Sequence, residues 1–316
     1  MGGLKHIIST KQFLDTSILE NLFLVANQME NEDKNKKIKQ TLKGKILASL
    51  FYEPSTRTRF SFEVAIQKLG GKVITTESAS HFSSVTKGES LQDTIKILQE
   101  YADVIILRHN KEGSAQIAAD VSSVPIINAG DGAGEHPTQA LLDIYTIKKE
   151  KGKINDLNIA LVGDLLYGRT VHSLLNLLSL YSAIKIYLVS PPELKLPQKY
   201  KDVLIQENIQ FEEVEDIKKI LNKIDVIYVT RIQRERFLSQ KEYEQVKGSY
   251  IINKEVIKSL KEDAIIMHPL PRVDEISPEV DDDKRAAYFR QARNGLYLRM
   301  ALLHMLFNGE LKQRRL

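Results

Sequence analysis

The chain has 316 residues, 42% of them hydrophobic, a length that exceeds one ordinary core and predicts two domains. Its 45 basic and 41 acidic residues leave a net charge of only +4, which argues against a nucleic-acid partner. It has no cysteine, no i, i+4 histidine pair, no signal-peptide core and no apolar run long enough to cross a bilayer. We therefore predict a cytoplasmic protein without disulfides, a thiolate or zinc site, or membrane contact.

Short apolar runs alternate with helical patterns along the whole chain, which is typical of parallel sheets covered by helices. The first half has runs at 45–51, 72–76, 104–107 and 124–128. The second half has runs at 158–163, 185–190, 209–214, 226–230 and 264–267. We predict an α/β fold of two domains, each a parallel sheet of four or five strands covered by helices on both faces.

Three helical patterns bear on the organisation of these domains. Apolar residues at a 3.6-residue spacing predict a helix over 55–69, which Gly70 and Gly71 end. A pattern over 137–149 should bridge the domains. A last pattern over 284–308 should be interrupted at Gly295, and its second part should pack on the first domain.

The segment Ser55-Thr56-Arg57-Thr58 lies where the first apolar run gives way to a helix. The first backbone N–H groups of a helix, small hydroxyl side chains and an arginine can all face one anion there. An ordinary helix capped by Ser55, with a surface arginine, is the alternative. Arginines near the positive end of a helix are unfavourable unless an anion is present, so the segment predicts a phosphate site.

Polar residues follow the other strands in the same way, and ligands of open α/β sheets bind at the carboxyl ends of strands. Each of these residues alone has a structural explanation, but together they indicate a ligand site. We expect Arg57 and Arg108 to hold one anion, and Arg169 and Arg231 another, in a cleft between the domains. The residues at these strand ends are Arg57, Arg108, His109, His136, Arg169, Thr170, Arg231, Gln233 and His268.

Two further segments have alternatives. The Gly163–Arg169 segment follows a strand but departs from the G-x-G-x-x-G pattern, so a dinucleotide cofactor is not expected. The polar stretch 76–89 is long enough to be a functional loop. Its Lys87 could reach a neighbouring site, although spacing alone favours a solvated lysine.

The polar segments taken together resemble the carbamoyltransferases, and within that family its aspartate-using branch. The matching segments are F-Y-E-P-S-T-R-T-R at 51–59, L-R-H at 107–109, G-D-G-x-x-x-H-P-T-Q at 130–139, G-D-x-x-Y-G-R-T-V-H-S at 163–173, T-R-x-Q-x-E-R-F at 230–237 and H-P-L-P-R at 268–272. The ornithine-using branch has cysteine where this chain has Pro269. The resemblance covers nearly the whole chain, with its motifs in the family's order.

The resemblance implies which residues bind the two substrates, with no cofactor or metal. Catalysis would rest on Arg57, Thr58, Arg108 and His136. Carbamoyl phosphate would bind Ser55, Thr56, Arg57, Thr58, Arg108, His136, Gln139, Pro269 and Leu270. Aspartate would bind Arg169, Thr170, Arg231, Gln233 and Leu270. Residues 1–137 would form the carbamoyl-phosphate domain, with 295–316 packed back on it, and 138–294 would form the aspartate domain.

The resemblance also implies a homotrimer in which Ser83 and Lys87 enter the site of an adjacent subunit, which reverses the reading of Lys87 as solvated. The expected reaction transfers the carbamoyl group of carbamoyl phosphate to the amine of L-aspartate, an early step of pyrimidine biosynthesis. Alternatives are a carbamoyltransferase with ornithine or another amine as acceptor, and a non-catalytic protein that kept the scaffold. Whether a separate regulatory chain binds stays open.

Overall fold

The computed structural model contains two compact units. One joins Met1–Tyr145 to Arg293–Leu316, and the other is Thr146–Ala292. Each unit contains one sheet in which all neighbouring strands are parallel. The prediction of two α/β domains with parallel sheets is therefore confirmed. The structure describes residues 4–79, 87–234, 237 and 239–311.

The sheet of the first unit has four strands in the order β2-β1-β3-β4. The central strands β1 and β3 are almost wholly buried, because their apolar side chains are covered on both faces. Edge strand β2 has several exposed positions. The strands are β1 Ile46–Phe51, β2 Lys72–Glu77, β3 Val104–His109 and β4 Ile126–Asp131.

Helices connect these strands, and two of their ends follow local sequence signals. Helix α2 begins after Ser55 and ends before Gly70, whose φ of 89° is the left-handed backbone that glycine allows. The helices, with α5 reaching into the second unit, are α1 Thr16–Lys34, α2 Thr56–Lys68, α3 Leu91–Leu98, α4 Ser114–Val121 and α5 Pro137–Lys151.

The sheet of the second unit has five strands in the order β7-β6-β5-β8-β9. Its core contains side chains that are fully buried on the central strands, among them Val162, Ile227 and Val229. The strands are β5 Asn158–Val162, β6 Lys185–Val189, β7 Gln210–Val214, β8 Val226–Val229 and β9 Ile265–Met267. The remaining helices are α6 Arg169–Leu178, α7 Gln198–Gln206, α8 Gln240–Val246, α9 Lys254–Lys258 and α10 Tyr288–Phe307.

Helix α10 corrects one prediction, because it runs through Gly295 without a break. A Cβ atom at this position would lie 2.7 Å from Arg299 Nη1 and 2.9 Å from Leu142 Cδ2. Glycine is present because the neighbouring side chains leave no room, and not because the helix stops. The C-terminal part of α10 contacts α1 through the Tyr297 hydroxyl, which donates to Asp33 Oδ2 at 3.0 Å.

The compact units divide within helix α5, between Tyr145 and Thr146, and again between Ala292 and Arg293. The predicted substrate-binding domains, 1–137 with 295–316 and 138–294, stay a prediction. In the part of the chain that the structure describes, none of the helices is both long and apolar enough for a membrane span.

Candidate functional site

The strand order places the reversal point of the first sheet between β1 and β3, because the chain leaves β1 towards β2 and returns to β3 on the other side. Ligands of open parallel sheets bind outside the carboxyl ends of strands at such a point. Phe51, the last residue of β1, pairs with Arg108 of β3. Arg108 therefore lies beside the segment that leads into helix α2.

The start of helix α2 is open to an anion. Ser55 occupies the N-cap position, but its side chain makes no capping hydrogen bond. The first intrahelical bond runs from the Arg59 N–H to the Ser55 carbonyl, at 3.0 Å. The N–H groups of Thr56, Arg57 and Thr58 precede it, so they have no acceptor within the helix and can donate to a ligand.

Arg57 and Arg59 lie on the same helix but have different surroundings. Arg59 Nη2 pairs with Glu77 Oε2 at 3.1 Å, and its Nη1 lies 3.9 Å from Glu63 Oε1. Arg57 is exposed, and within residues 4–79, 87–234, 237 and 239–311 it has no ion-pair or hydrogen-bond partner. Desolvation by the nearby protein nevertheless lowers the pKa of its guanidinium. Arg57 is thus the cation available to an anion in the first turn of α2.

Arg108 connects the segment that follows β1 to strand β4. Its Nη2 lies 3.6 Å from Glu53 Oε2, and its Nη1 donates to the Ala129 carbonyl at 3.2 Å. These contacts hold the guanidinium at the carboxyl ends of the central strands. His109, the next residue, accepts the Lys111 N–H at Nδ1, at 3.0 Å, and burial lowers its pKa. His109 is therefore a neutral structural residue.

The segment from Gly130 to Gln139 contains a tight turn between β4 and helix α5. Gly132 has a φ of 52°, and a Cβ atom there would lie 2.6 Å from the backbone nitrogen of Glu112. His136 is buried, and its carbonyl accepts the Gln139 N–H at 3.0 Å. The start of α5 thus carries His136 and Gln139 together, the two residues of this segment that the resemblance assigns to carbamoyl phosphate.

Glu135 supports this loop, although the sequence analysis did not single it out. Its Oε1 accepts from Ser9 Oγ at 2.6 Å, and its Oε2 accepts from the N–H and the hydroxyl of Thr10 at 2.7 and 2.6 Å. The carboxylate thereby ties the first described segment of the chain to the residue before His136. The only signal in the sequence is that Glu135, an acidic residue, directly precedes the candidate His136.

The second sheet has its reversal point between β5 and β8, by the same reasoning. Val162 pairs with Val229, so the segments that follow these two strands begin side by side. Gly163 has a φ of 112°, and a Cβ atom there would lie 2.2 Å from the Thr230 carbonyl oxygen. Only glycine lets the two strand ends approach so closely.

The aspartate-site candidates of this unit share a backbone contact. The Tyr167 carbonyl accepts from the Arg169 N–H at 2.9 Å and from Gln233 Nε2 at 3.2 Å. Arg169 and Thr170 begin helix α6, and Arg231 follows β8, with all three side chains half-buried. The structure therefore brings Arg169 and Gln233 to one edge of this sheet.

Asp164 is a second residue that the sequence analysis missed. It is fully buried, its Oδ1 accepts the Tyr167 N–H at 2.8 Å, and its Oδ2 lies 3.4 Å from Gln233 Nε2. Burial raises the pKa of this carboxyl, whereas its hydrogen bonds oppose that change. The sequence signal that could have identified Asp164 is its position in a Gly-Asp pair directly after a buried strand.

Pro269 and Leu270 follow β9, where His268 holds the backbone. His268 Nδ1 accepts the Leu270 N–H at 2.7 Å, so Nε2 carries the proton that is donated to Glu275 Oε1 at 2.7 Å. Leu270 has a φ of 53°, unusual for a residue with a side chain. This arrangement leaves the Leu270 carbonyl, and not its N–H, for a ligand.

Of the residues predicted to enter an adjacent subunit, Lys87 is exposed in the structure. Ser83 lies outside the described residues. Within the described part of the chain, histidine and acidic side chains form no cluster that could hold a metal ion.

Comparison with known proteins covers both units. Residues 5–149 match the family described as aspartate/ornithine carbamoyltransferase, carbamoyl-P binding domain. Residues 155–306 match the family described as aspartate/ornithine carbamoyltransferase, Asp/Orn binding domain. The two matches lie in the same order as the two sites described above.

Individual relatives agree with these matches. The aspartate carbamoyltransferase catalytic subunit of Thermococcus kodakarensis is 53% identical over 95% of this chain and 96% of its own length. The solved catalytic subunit of M. jannaschii aspartate transcarbamoylase has a TM-score of 0.90 and 52% identity, covering 96% of this chain and 98% of its own. Aspartate transcarbamoylase of Trypanosoma cruzi, solved in complex with carbamoyl phosphate and aspartate, has a TM-score of 0.89 and 41% identity, with 95% of each chain covered. The chain belongs to the aspartate/ornithine carbamoyltransferase family.

Proposed function

We propose that this chain is an aspartate carbamoyltransferase, which transfers the carbamoyl group of carbamoyl phosphate to the amine of L-aspartate. The observation that carries the proposal is the start of helix α2, where Ser55 makes no capping bond and Arg57 has no partner among the described residues. A helix end left open beside an available guanidinium suits a phosphate dianion.

The phosphate needs more than one of these groups. Micromolar capture requires about 8 kcal/mol, whereas the helix dipole contributes roughly 1 kcal/mol and each charge-assisted hydrogen bond roughly 1.5–3 kcal/mol. Several donors must therefore act together. The proposed carbamoyl phosphate site comprises Ser55, Thr56, Arg57, Thr58, Arg108, His136 and Gln139, with the backbone of Pro269 and Leu270.

Aspartate would bind to the edge of the second sheet. Arg169 and Arg231 match its two carboxylates, because a guanidinium fork fits carboxylate geometry. Gln233 is held by the Tyr167 carbonyl and Asp164, and Thr170 adds a hydroxyl in the first turn of α6. The Leu270 carbonyl can accept from the substrate amine.

The reaction is an acyl transfer to an amine. The neutral α-amine of aspartate attacks the carbonyl carbon, negative charge develops on the carbonyl oxygen, and the bond to the phosphate oxygen breaks. Thr58, Arg108 and His136 would supply the donors that stabilise that charge, and preorganised donors are the main resource of such reactions. The departing phosphate can take the amine proton. Holding both substrates together removes much of the entropic barrier.

The family also contains ornithine as an acceptor, so the acceptor must be tested. Arginines at both candidate carboxylate positions favour an acidic acceptor over the cationic side chain of ornithine. We expect carbamoyl transfer to aspartate and none to ornithine, measured as carbamoyl amino acid formed from each acceptor at equal concentration. Turnover with ornithine alone would reject the aspartate proposal.

A non-catalytic scaffold is separated from an enzyme by an inhibitor that joins a phosphonate to aspartate. An enzyme should bind it tightly and lose its turnover. Tight binding by a chain that never turns over carbamoyl phosphate and aspartate would support the scaffold.

The assembly proposed from the family resemblance is a homotrimer with shared sites, to which Ser83 and Lys87 of an adjacent subunit contribute. Relatives named catalytic subunit support a search for a separate regulatory chain. The product would enter pyrimidine biosynthesis. Mass measurement in solution tests the trimer.

A further inference from the structure

Arg299 is a buried cation that contacts α2 and α5, the two helices whose first residues belong to the proposed carbamoyl phosphate site. The residue lies in helix α10 and is 3% exposed. Its guanidinium carbon is 5.0 Å from the centre of the Phe62 ring in α2. Its Nη2 lies 3.4 Å from the Thr138 hydroxyl in α5. One buried charge thus contacts both helices.

A buried guanidinium requires a compensating negative charge nearby. Burial lowers the pKa of Arg299 to about 10, and the charge of Asp143 opposes that decrease, so Arg299 stays protonated at neutral pH. Asp143 is itself fully buried in helix α5. Asp143 therefore supplies negative charge that stabilises the protonated form of Arg299 inside the first unit.

Asp143 also accepts a hydrogen bond from Gln139 Nε2, at 2.8 Å. An ionised carboxylate only accepts hydrogen bonds, so the amide of Gln139 must turn its Nε2 towards Asp143 and its Oε1 away. Within the described residues, Oε1 receives no hydrogen bond. The Oε1 atom of Gln139 is thus an available acceptor, and the hydrogen bond from Nε2 to the Asp143 carboxylate sets its orientation.

This orientation suits one kind of acyl phosphate. The carbamoyl group carries an NH₂ that can donate to Oε1, whereas an acetyl group carries a methyl that cannot. We propose that Asp143, whose negative charge the buried cation Arg299 balances, is a positioning residue that fixes the Gln139 amide and so selects carbamoyl over acetyl phosphate. The proposal rests on the proposed function and adds to it the origin of donor specificity.

A matched pair of stable ligands tests this selection without turnover. Phosphonoacetamide carries the NH₂ group, acetonylphosphonate carries a methyl in its place, and inorganic phosphate reports on the anion site alone. We expect the unaltered protein to bind phosphonoacetamide about fivefold to tenfold more tightly than acetonylphosphonate, the value of one hydrogen bond. Titration calorimetry gives the three dissociation constants.

The variant Asp143→Asn should remove the selection. Asparagine can donate as well as accept, so the Gln139 amide can adopt either orientation. We expect the ratio of the two dissociation constants to fall to within about twofold, with phosphate affinity unchanged. If D143N does not fold because Arg299 is left uncompensated, D143N/R299M removes both charges and is judged by the same ratio.

Asp103→Asn is the control, because it makes the same substitution at another aspartate of the first unit that interacts with a cation. Asp103 pairs with Lys45 at 2.8 Å. This control should lower stability and leave the ratio intact. The proposal is overturned if the unaltered protein does not discriminate, if D143N keeps the ratio, or if D143N weakens all three ligands equally. Absence of carbamoyl transfer to aspartate with the ratio effects intact would reject the proposed function alone.

Discussion

Two arginines in the first turns of helix α2 carry the same charge, but their removal should affect turnover and stability differently. Arg57→Ala takes away the available cation, so we expect kcat to fall by about 10²–10³-fold, as for loss of one key transition-state donor. The melting temperature should change little, because Arg57 has no partner among the described residues. Steady-state kinetics and thermal unfolding of the same preparation check both expectations.

Arg59→Ala is the matched control. Arg59 pairs with Glu77 in a partly exposed ion pair, which contributes about 0.2–1 kcal/mol. We expect a small loss of stability and a much smaller loss of turnover than in R57A. Equal kinetic defects in the two variants would show that general disruption of α2 accounts for both.

Candidate ligand-binding residues were easier to identify from the sequence than the residues that hold them in place. Arg57, Arg108 and Gln233 stand at or shortly after the ends of apolar runs, the positions where ligands of parallel sheets bind. Glu135 and Asp164 act by accepting hydrogen bonds from Thr10 and Tyr167, and such contacts become visible only when the chain is folded. The roles of all the substrate-binding candidates stay predictions until tested.

The strands were predicted well as elements. Each of the nine apolar runs corresponds to a strand in the described part of the chain. The central strands are buried on both faces and therefore read as continuous apolar segments, whereas the edge strands β2 and β7 keep several exposed positions. The predicted interruption at Gly295 was wrong. Glycine has a low helix propensity, and propensity alone favours a break at such a position. Tertiary packing against Leu142 and Arg299 decides that position, and the sequence does not reveal it.

Packing around Gly295 gives a prediction for helix α10. Ala would gain about 1 kcal/mol of helix propensity, but its Cβ would lie within 3.0 Å of Arg299 Nη1 and Leu142 Cδ2. Overpacking costs about 1–3 kcal/mol. We expect Gly295→Ala to lower the free energy of unfolding by roughly 1 kcal/mol, measured by urea denaturation.

Ala292→Gly, at an exposed position of the same helix, isolates the propensity contribution. It should cost about 1 kcal/mol. If G295A were more stable than the unaltered protein, the close contacts around Gly295 would be wrong as the reason for glycine.

Helix α6 contains a titrating group that should make stability depend on pH. His172 is buried, donates from Nε2 to the Leu165 carbonyl at 2.8 Å and stacks on Tyr200 with ring centres 4.0 Å apart. Burial lowers its pKa from 6.5 to about 4. Between these values the unfolded chain binds more protons, so unfolding becomes easier as the pH falls, by up to roughly 1.4 kcal/mol per unit.

His172→Gln keeps a donor for the Leu165 carbonyl but cannot titrate. We expect its melting temperature to fall less steeply between pH 6.5 and about 4 than that of the unaltered protein. Identical slopes would assign the acid sensitivity to other groups.

At the scale of the whole molecule, the shared-site trimer predicts that two inactive variants rescue each other. Arg57→Ala and Lys87→Ala alter residues that would belong to one site but come from different subunits. In a mixed trimer, a site can form with Arg57 from a Lys87→Ala chain and Lys87 from a neighbouring Arg57→Ala chain, so that both residues are intact. Random reassembly of equal amounts should therefore recover about a quarter of the activity of the unaltered protein.

Each variant subjected alone to the same dissociation and reassembly is the control and should stay inactive. Mixing without dissociation should also recover nothing. If mixed trimers form but recover no activity, each site is complete within one chain, and Lys87 has another role.

The three hydrogen bonds that Glu135 accepts from Ser9 and Thr10 matter for any shortened version of the chain. Trimming through Thr10 would strip a half-buried carboxylate of its donors and release the turn that presents His136. An affinity tag upstream of Ser9 is compatible with this attachment. Proteolytic cleavage after Thr10 should instead inactivate the protein, although every residue proposed to bind substrate remains intact.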